Sequence, residues 1–539
     1  MSAFTGTLRL ARLALRRDRV QLPVWMLALA AVTGAVASSV TGVYDTAEEQ
    51  AAYARSNAAS AVSRVLNGVV PEPSLEGVVV AEGFCLLAVL TALMNIFAVA
   101  RHTRQNEETG RAEMIGATVV GRYAPLTAAL LVVLAADAAL AVLVTGALAA
   151  AGLPAAGSLT FGAALGATGA AFAGVAAVTA QITESARAAN GISSAVLGLA
   201  FLLRGVGDGL ASPEPGGLEV RSLWPSWLSP IGWGQLTEPW AADRPWPLLA
   251  HAAFLAALVV TAYRLTDHRD VGTGMLPVRR GPATASSALL SPLGLAWRLQ
   301  RGVLYGWASG LVVFGAVLGA IGDQAEELLT TSEQINEMAK LMGGGGDLVD
   351  VYFSAMMSLT AVVAAGYTVQ ALLRMRVEET GPLEAVLATA VSRPRWMASH
   401  IVCAMLGTAV VLAVNGLANA AAYAAASGSA DRTADLVGAA LVHLPATLAL
   451  AGFVIALIGL LPRWSVAISW SALAVCLLIG QLGPILKLPQ WAVDVSPFTH
   501  TPTLPSSSLT LTPLVVLSAS AAALTVAGVV FFRRRDLSL

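Results

Sequence analysis

The run "VVVAEGFCLLAVLTALMNIFAVA" (78–100) passes directly into "RHTRQNEETGRAEMIGATVVGR" (101–122). The first stretch is an apolar run long enough for one membrane crossing, which takes roughly twenty residues. The second is a charged island, and its end, "EETGRAEMIGATVVGR" (107–122), returns as "EETGPLEAVLATAVSR" (378–393), with nine of sixteen positions identical at a separation of 271 residues. Apolar runs broken by short polar segments, one of them written twice, describe a chain that crosses a membrane many times and carries something in duplicate.

Composition agrees. The 539 residues are 56% hydrophobic and 12% charged, about half the charged share of a soluble domain. No soluble interior can hide that much apolar chain. Arg9, Arg12, Arg16, Arg17 and Arg19 precede the first long apolar run and no small-residue cleavage site follows closely, so the first helix is expected to be retained. Cys85, Cys403 and Cys476 fall inside expected spans without metal-ligand spacing and read as small core residues. The net charge of −1 excludes little; the distribution of charge is what informs.

Apolar runs set against polar breaks predict an all-α protein of twelve transmembrane helices, near 22–42, 78–100, 123–151, 158–182, 190–206, 246–265, 303–322, 350–373, 396–426, 434–461, 464–485 and 511–532. With the N-terminus inside, 24 of the 32 basic residues fall on the cytoplasmic side, as the positive-inside rule requires. The outer loop 323–350 is acidic instead, with Asp323, Glu326, Glu327, Glu333, Glu337, Asp347 and Asp350. Both termini are then cytoplasmic.

The duplication extends beyond the opening motif. "RRDRVQLPVW" (16–25) echoes "RLQRGVLYGW" (298–307), "AFAGV" (171–175) echoes "ALAGF" (449–453), and "WLSPIGW" (227–233) matches "DVSPFTH" (494–500) through Ser-Pro. Each half ends in a basic tail, "DHRD" (267–270) or "RRRD" (533–536). Six helices per half is an even number, so the halves, 1–275 and 276–539, are expected as parallel repeats about an axis along the membrane normal. The Gly-, Pro- and Ser-rich stretch 271–287 links them.

Each copy of the motif sits in the cytoplasmic loop between the second and third helices of its half. Gly381 suits an N-cap, Pro382 the first helical position and Glu384 the third, where a carboxylate can close back on free amides. Gly110, Arg111 and Glu113 read the same way. A helix of about ten residues is expected in each loop, with Ala112, Ile115, Gly116 and Val119, or Leu383, Val386, Leu387 and Ala390, on its apolar face. Ahead stand Glu107-Glu108 and Glu378-Glu379, flanked by arginines. A lone copy would read as a capped surface helix; two copies facing one side look like plugs for a symmetric partner.

On these residues the chain resembles the membrane subunit of an ABC-2 type exporter, the architecture also called type V, in the twelve-helix two-half form of actinobacterial antibiotic and polyketide exporters. "AQITESARAANG" (180–191), "LSPIGW" (228–233), the basic N-terminus and the closing "FRRRDL" (532–537) share in the resemblance, which covers essentially the whole chain. It implies that the two short helices are coupling helices docking on an ATP-binding subunit, presumed two copies per chain. The residues carrying that contact would be Glu107, Glu108, Gly110, Glu113, Ile115 and Arg122, and Glu378, Glu379, Gly381, Glu384, Val386 and Arg393. It implies export of a hydrophobic or amphipathic compound from a bacterial plasma membrane, hence efflux and antibiotic resistance.

A P-loop needs Gly-Lys before Ser or Thr. The only lysines, Lys340 and Lys487, follow Ala339 and Leu486. This chain has no such site, and no catalytic or metal cluster stands at usable spacing, so no cofactor is expected on it; the resemblance implies ATP and Mg on the partner. No nucleic acid is implied.

Arg9, Arg12, Arg16 and Arg19 share one helical face, suited to a helix lying in the membrane interface. Trp224, Trp227, Trp233, Trp240 and Trp246 mark an interfacial belt. The resemblance adds short re-entrant helices there, with Trp227, Pro230, Trp233 and Pro497 at an outer gate. Asp137 stands near mid-membrane, where charge is costly, and its register mate is Thr408. A locally hydrogen-bonded structural role and a place on the pathway both fit it, while Asn95, Asn415 and His443 rate lower as pathway residues. The Gly/Ala face 162–174 reads as close helix packing. The competing reading is a proton-driven twelve-helix carrier using Asp137; a membrane enzyme or scaffold has no residues to support it.

Overall fold

The computed structural model describes residues 2–214, 216–275, 283–322, 348–379, 381, 383–482 and 489–535. The acidic positions 323–347, Lys340, Lys487, Pro382, Asp536 and the linker stretch 276–282 lie outside them. Regular structure in the described residues is helical apart from one isolated bridge, Pro213 to Val220. Two compact units divide the chain, Met1–Gly281 and Pro282–Leu539.

In the first unit, α1 (Thr7–Arg17) and α2 (Gln21–Val43) are followed by α3 (Ala47–Ala59), α4 (Ala61–Asn67) and α5 (Leu75–His102). Then come α6 (Arg104–Glu108), α7 (Arg111–Gly116), α8 (Ala124–Ala150), α9 (Ala155–Ile182), α10 (Ala186–Gly209), α11 (Pro230–Gln235) and α12 (Pro247–Asp267). Six of these, α2, α5, α8, α9, α10 and α12, are long and apolar enough to cross a membrane. Helix α9 is the hub, packing on α5, α8, α10 and α12. Its small residues permit this: a Cβ on Gly162 would stand 2.5 Å from the Ala141 carbonyl oxygen, and one on Gly166 3.0 Å from that of Asp137. The 162–174 face is close packing, as its composition suggests.

The second unit holds α13 (Pro292–Gly322), α14 (Leu348–Glu379), α15 (Leu383–Leu387), α16 (Arg393–Ser427), α17 (Thr433–Leu441), α18 (Leu444–Leu460), α19 (Ser465–Leu482), α20 (Gln490–Val493) and α21 (Leu511–Arg534). Five crossings are long enough here, α17 and α18 making one of them. Among the described residues the chain thus has eleven full candidate spans rather than the twelve expected; the run at 464–485 forms the shorter apolar helix α19. Pairs α13–α16 and α18–α21 are in closest contact. A Cβ on Gly459 would come within 2.5 Å of the Gly528 carbonyl oxygen.

The two basic segments fold differently although their sequences echo each other. In the first unit the helix stops: Asp18 is the C-cap of α1, and its carboxylate accepts from Arg101 at 2.8 Å and pairs with His102 at 2.6 Å. In the second, Gln300 occupies the matching position, remains inside α13, and donates to His400 Nδ1 at 3.1 Å. Helix α13 therefore starts at Pro292, eleven residues before the expected 303, where Ser291 precedes a proline suited to a first turn. Helix α1 buries Thr7, Ala11 and Ala14 against α8 while Arg9, Arg12, Arg16, Leu8 and Leu15 stay exposed.

Candidate functional site

The first motif begins where α5 ends. Thr103, at φ −109° and ψ −89°, breaks the helix, and α6 restarts it for five residues. Arg104 is fully buried: Nε and Nη2 donate to the Ala180 carbonyl at the end of α9 (3.0 and 2.7 Å), and Nη1 reaches Glu107 Oε2 at 2.7 Å. Glu107 is also gripped by Arg269, from the tail after α12, at 2.6 and 2.8 Å, and accepts from the Gly272 amide at 3.1 Å. Arg269 Nε donates to Gln181 at 2.7 Å. Glu108 is exposed, and its carboxylate accepts from the Ala186 amide at 3.1 Å, satisfying one of the free donors that open α10.

Gly110, with φ +70° where glycine is favoured, is the N-cap of α7. That helix has six residues and α15 has five, against about ten expected; the backbone past Gly116 is held instead by pairing of Gly121 and Tyr123 amides with the Thr5 and Ala3 carbonyls. Glu113 lies exposed in the first turn, and among the described residues it makes no hydrogen bond back to the free amides. Ala112 and Ile115, half-buried, and the exposed Gly116 line a cavity of about 300 Å³ together with Leu126, Gln181 and Thr266. Val119, expected on that inner face, is instead 68% exposed, as Met114 is at 67%. Arg122 Nη2 donates to the carbonyls of Thr266, Asp267 and Arg269 at 2.6, 3.0 and 3.0 Å.

In the second motif α14 stays helical through Glu379, so the glutamates project differently. Glu378, 3% exposed, accepts from Arg374 at 3.1 Å, meets His400 at 3.2 Å and takes the Trp396 indole N–H at 3.4 Å. Glu379, 8% exposed, is paired with Arg376 and with Arg535 from the tail after α21. Arg535 Nη1 donates to the Ile458 carbonyl near the end of α18 (2.9 Å), and Arg393 Nη1 donates to the Arg535 carbonyl (2.9 Å). Leu383 is buried and Val386 half-buried, while Gly381, Glu384, Ala385 and Ala388 face outward.

Both motifs are thus two-ended. Their glutamate takes the guanidinium of a tail arginine, and their last arginine takes that same residue's carbonyl. Arg269 and Arg535 are the partners of the two motifs that reading the motifs alone missed. The signal was the shared Arg-Asp of "DHRD" and "RRRD", which gave no hint that the tails fold back onto the glutamates. Asp18 belongs to the same end of the first unit. Burial raises its affinity for a proton, but the His102 hydrogen bond and charge and the Arg101 charge outweigh it and hold the carboxyl below its ordinary value.

The remaining candidates are packed. Asn95 Nδ2 donates to Asp137 Oδ1 at 2.8 Å and to the Thr91 carbonyl at 2.9 Å, all buried. The pair meets α9 at Gly169, where a Cβ would stand 2.6 Å from Asp137 Oδ1. Asn415 donates to the Leu311 carbonyl at 3.0 Å across the α13–α16 contact. At the end of α9 remote from Ala180, Trp227 stacks on Trp246 at 4.9 Å, and Trp233 donates to the Trp227 carbonyl at 2.6 Å. Pro230, first residue of α11, gives its carbonyl to His251 at 2.9 Å, and Pro497 opens a short 3-10 turn, Pro497–His500.

Eleven candidate spans among the described residues, with small helices clamped to the ends of the crossings, define a multi-pass membrane protein. The family profile described as "Multidrug efflux system permease Rv1217c, C-terminal domain" matches residues 10–264 and 289–533. The Multidrug efflux system permease protein Rv1217c of Mycobacterium tuberculosis (strain ATCC 25618 / H37Rv) is 41% identical over 544 residues, 99% of this chain and 96% of that protein. The chain belongs to this family of efflux permeases.

Proposed function

We propose that the chain is the membrane subunit of an ATP-driven exporter, moving hydrophobic or amphipathic compounds, drugs among them, out of a bacterial cell across its plasma membrane. The energy comes from separate ATP-binding subunits, one for each motif loop, and the two units act as parallel halves with both termini and both loops in the cytoplasm. The observation that carries this reading is the pair of short helices, α7 and α15. Each is pinned at its base by ion pairs and, with the turn that follows it, carries an exposed face of mixed character: Arg111, Glu113 and Met114 of α7 with Val119 beyond it, and Glu384 and Ala385 of α15 with Ala388 just past its end. A rigid mount with a free outer face is what a docking partner needs. Two further facts support two halves: the family matches fall one in each unit, and the motif arginines Arg122 and Arg393 bind the same tail position in each. The absence of Gly-Lys-Ser/Thr from the sequence is consistent with ATP hydrolysis on another chain.

The proton-driven alternative through Asp137 draws no support from geometry, because Gly169 and Asn95 close over that carboxylate. Purification of the tagged chain from its host in mild detergent tests the proposal. A co-eluting P-loop protein at two per permease, with ATP hydrolysis, is the expected result. A chain that purifies alone and transports in step with a pH gradient overturns it.

A further inference from the structure

We infer that Arg269 and Arg535 are positioning residues that link each motif loop to the last crossing of its unit, so that a movement imposed on α7 or α15 is delivered to α12 or α21. The argument is geometric. Each tail arginine is held at two points by one motif: its guanidinium by Glu107 or Glu379, and its main-chain carbonyl by Arg122 or Arg393. The two grips lie at opposite ends of the motif, fifteen positions apart in the first (107–122) and fourteen in the second (379–393), with the short helix strung between them. A helix tied at both ends to the same residue cannot shift without taking that residue along.

The same tail is also fastened to the end of the fourth crossing. Arg269 Nε donates to Gln181 in α9, and Arg535 Nη1 to Ile458 in α18. Burial makes the link stiff. Glu379 is nearly inaccessible, and Glu107, half-buried, is shared by two guanidiniums, so each carboxylate is committed to its arginine partners. The glutamates therefore face inward to the tails, and the partner's contact is left to the outer faces of α7 and α15.

The test is a charge-swap series in the full chain: Arg269→Glu, Glu107→Arg and both together, then Arg535→Glu, Glu379→Arg and both, with Arg269→Lys and Arg535→Lys as milder forms. Each single reversal is expected to cut export at least tenfold while ATP-binding subunits are still captured and still hydrolyse ATP, so that fewer molecules are exported per ATP. The double swaps are expected to regain export to within threefold, and the lysine variants, which lose the forked grip, to fall between. Unchanged export per ATP in the reversals, or loss of partner capture in them, overturns the inference.

The ATP readout rests on the exporter reading, so hydrogen exchange is measured alongside. Amides at 264–273 and 528–535 are expected to lose protection in the reversals, and in the lysine variants if reversals fail to insert. Unchanged protection overturns the clasp whether or not a partner ATPase exists. A wild-type chain without ATPase, but with tails that loosen in the variants, overturns the exporter reading alone.

Discussion

The two motif loops carry the same four letters, Glu-Glu-Thr-Gly, yet use them differently. In the first the leading glutamate, Glu107, holds the tail arginine and Glu108 reaches the start of α10; in the second the trailing glutamate, Glu379, holds the tail and Glu378 is buried against His400 and Trp396. The cause is helical phase. Helix α14 runs unbroken through both glutamates, whereas α5 stops at His102 and α6 starts afresh after Thr103. Each residue of helix turns the side chain by about 100°, so a break upstream hands the tail to the other member of the pair. What recurs between the units is the clasp, and identity of letters does not tell which letter makes it.

The sharpest way to break this comparison is charge reversal at one glutamate of each loop. Glu379→Lys sets a third cation beside Arg376 and Arg535 in a buried site, and removal of one partner from such a pair costs about 3–5 kcal/mol. Glu108→Lys loses only an exposed bond to a helix start, about 1 kcal/mol at most. Thermal unfolding of the purified permease should show a large drop for the first and a small one for the second. Equal drops would mean that the loops are built alike after all.

Next in size are changes on the outer faces. Glu113→Lys with Met114→Asp in α7, or Glu384→Lys with Ala385→Asp in α15, should weaken capture of the ATP-binding subunits at least tenfold, about 1.4 kcal/mol. Stability should move by less than about 0.5 kcal/mol, since these residues touch little of their own chain. Pull-down titration beside a melting curve separates the two quantities. Loss of stability without loss of capture would assign the outer faces to packing within the unit.

A smaller effect distinguishes the basic segments. Asp18 is held below its ordinary carboxyl value in the folded chain. A depressed folded pKa gives stability that is full above the unfolded value, near 3.9, and is lost as pH falls through the folded one. Hydrogen exchange at the α1–α5 junction should therefore loosen below about pH 4, whereas at the matching junction Gln300 stands in the place of Asp18 and the carboxylate that meets His400 comes from Glu378 of α14. Asp18→Asn should remove the acid dependence, and an unchanged pH profile in that variant would place the acid-sensitive group elsewhere.

Much of this architecture was legible in the residues. The crossings were, because runs of twenty apolar residues have no soluble alternative, and both loops were, because Gly and Glu at fixed offsets mark a helix start. Helix ends were less so: Pro292 opens α13 eleven residues before its apolar run begins, since polar and basic residues can extend a helix into the interface without changing hydropathy. Least legible was the clasp. Glu107 and Arg269 are 162 residues apart, and nothing local in either segment announces the other. Only the packing of α9 and α12 brings them together. The duplicated sequence shows two matching segments, and in the fold each is fastened to its own unit.

The smallest expected effect concerns the level where the units differ most in chemistry. Asp137 and Asn95 make a buried hydrogen bond in the first unit, and at the register position in the second, Thr408 bonds to Thr368 at 2.7 Å. A carboxylate that carried protons would need water or a second acceptor within reach through the transport cycle. Asp137 has Gly169 of α9 pressed against Oδ1, and Oδ2 has no hydrogen-bond partner. An amide of the same shape can take over the bond by turning its oxygen toward Asn95 Nδ2, so Asp137→Asn should leave export within about twofold of wild type and change stability by less than about 1 kcal/mol. Asp137→Leu should be worse, because a branched side chain must fit where Gly169 leaves no room and Asn95 then loses its acceptor. Export that collapses in Asp137→Asn, while the protein inserts and melts normally, would make the charge itself part of transport and set the first unit's core apart from the second's in function as well as in chemistry.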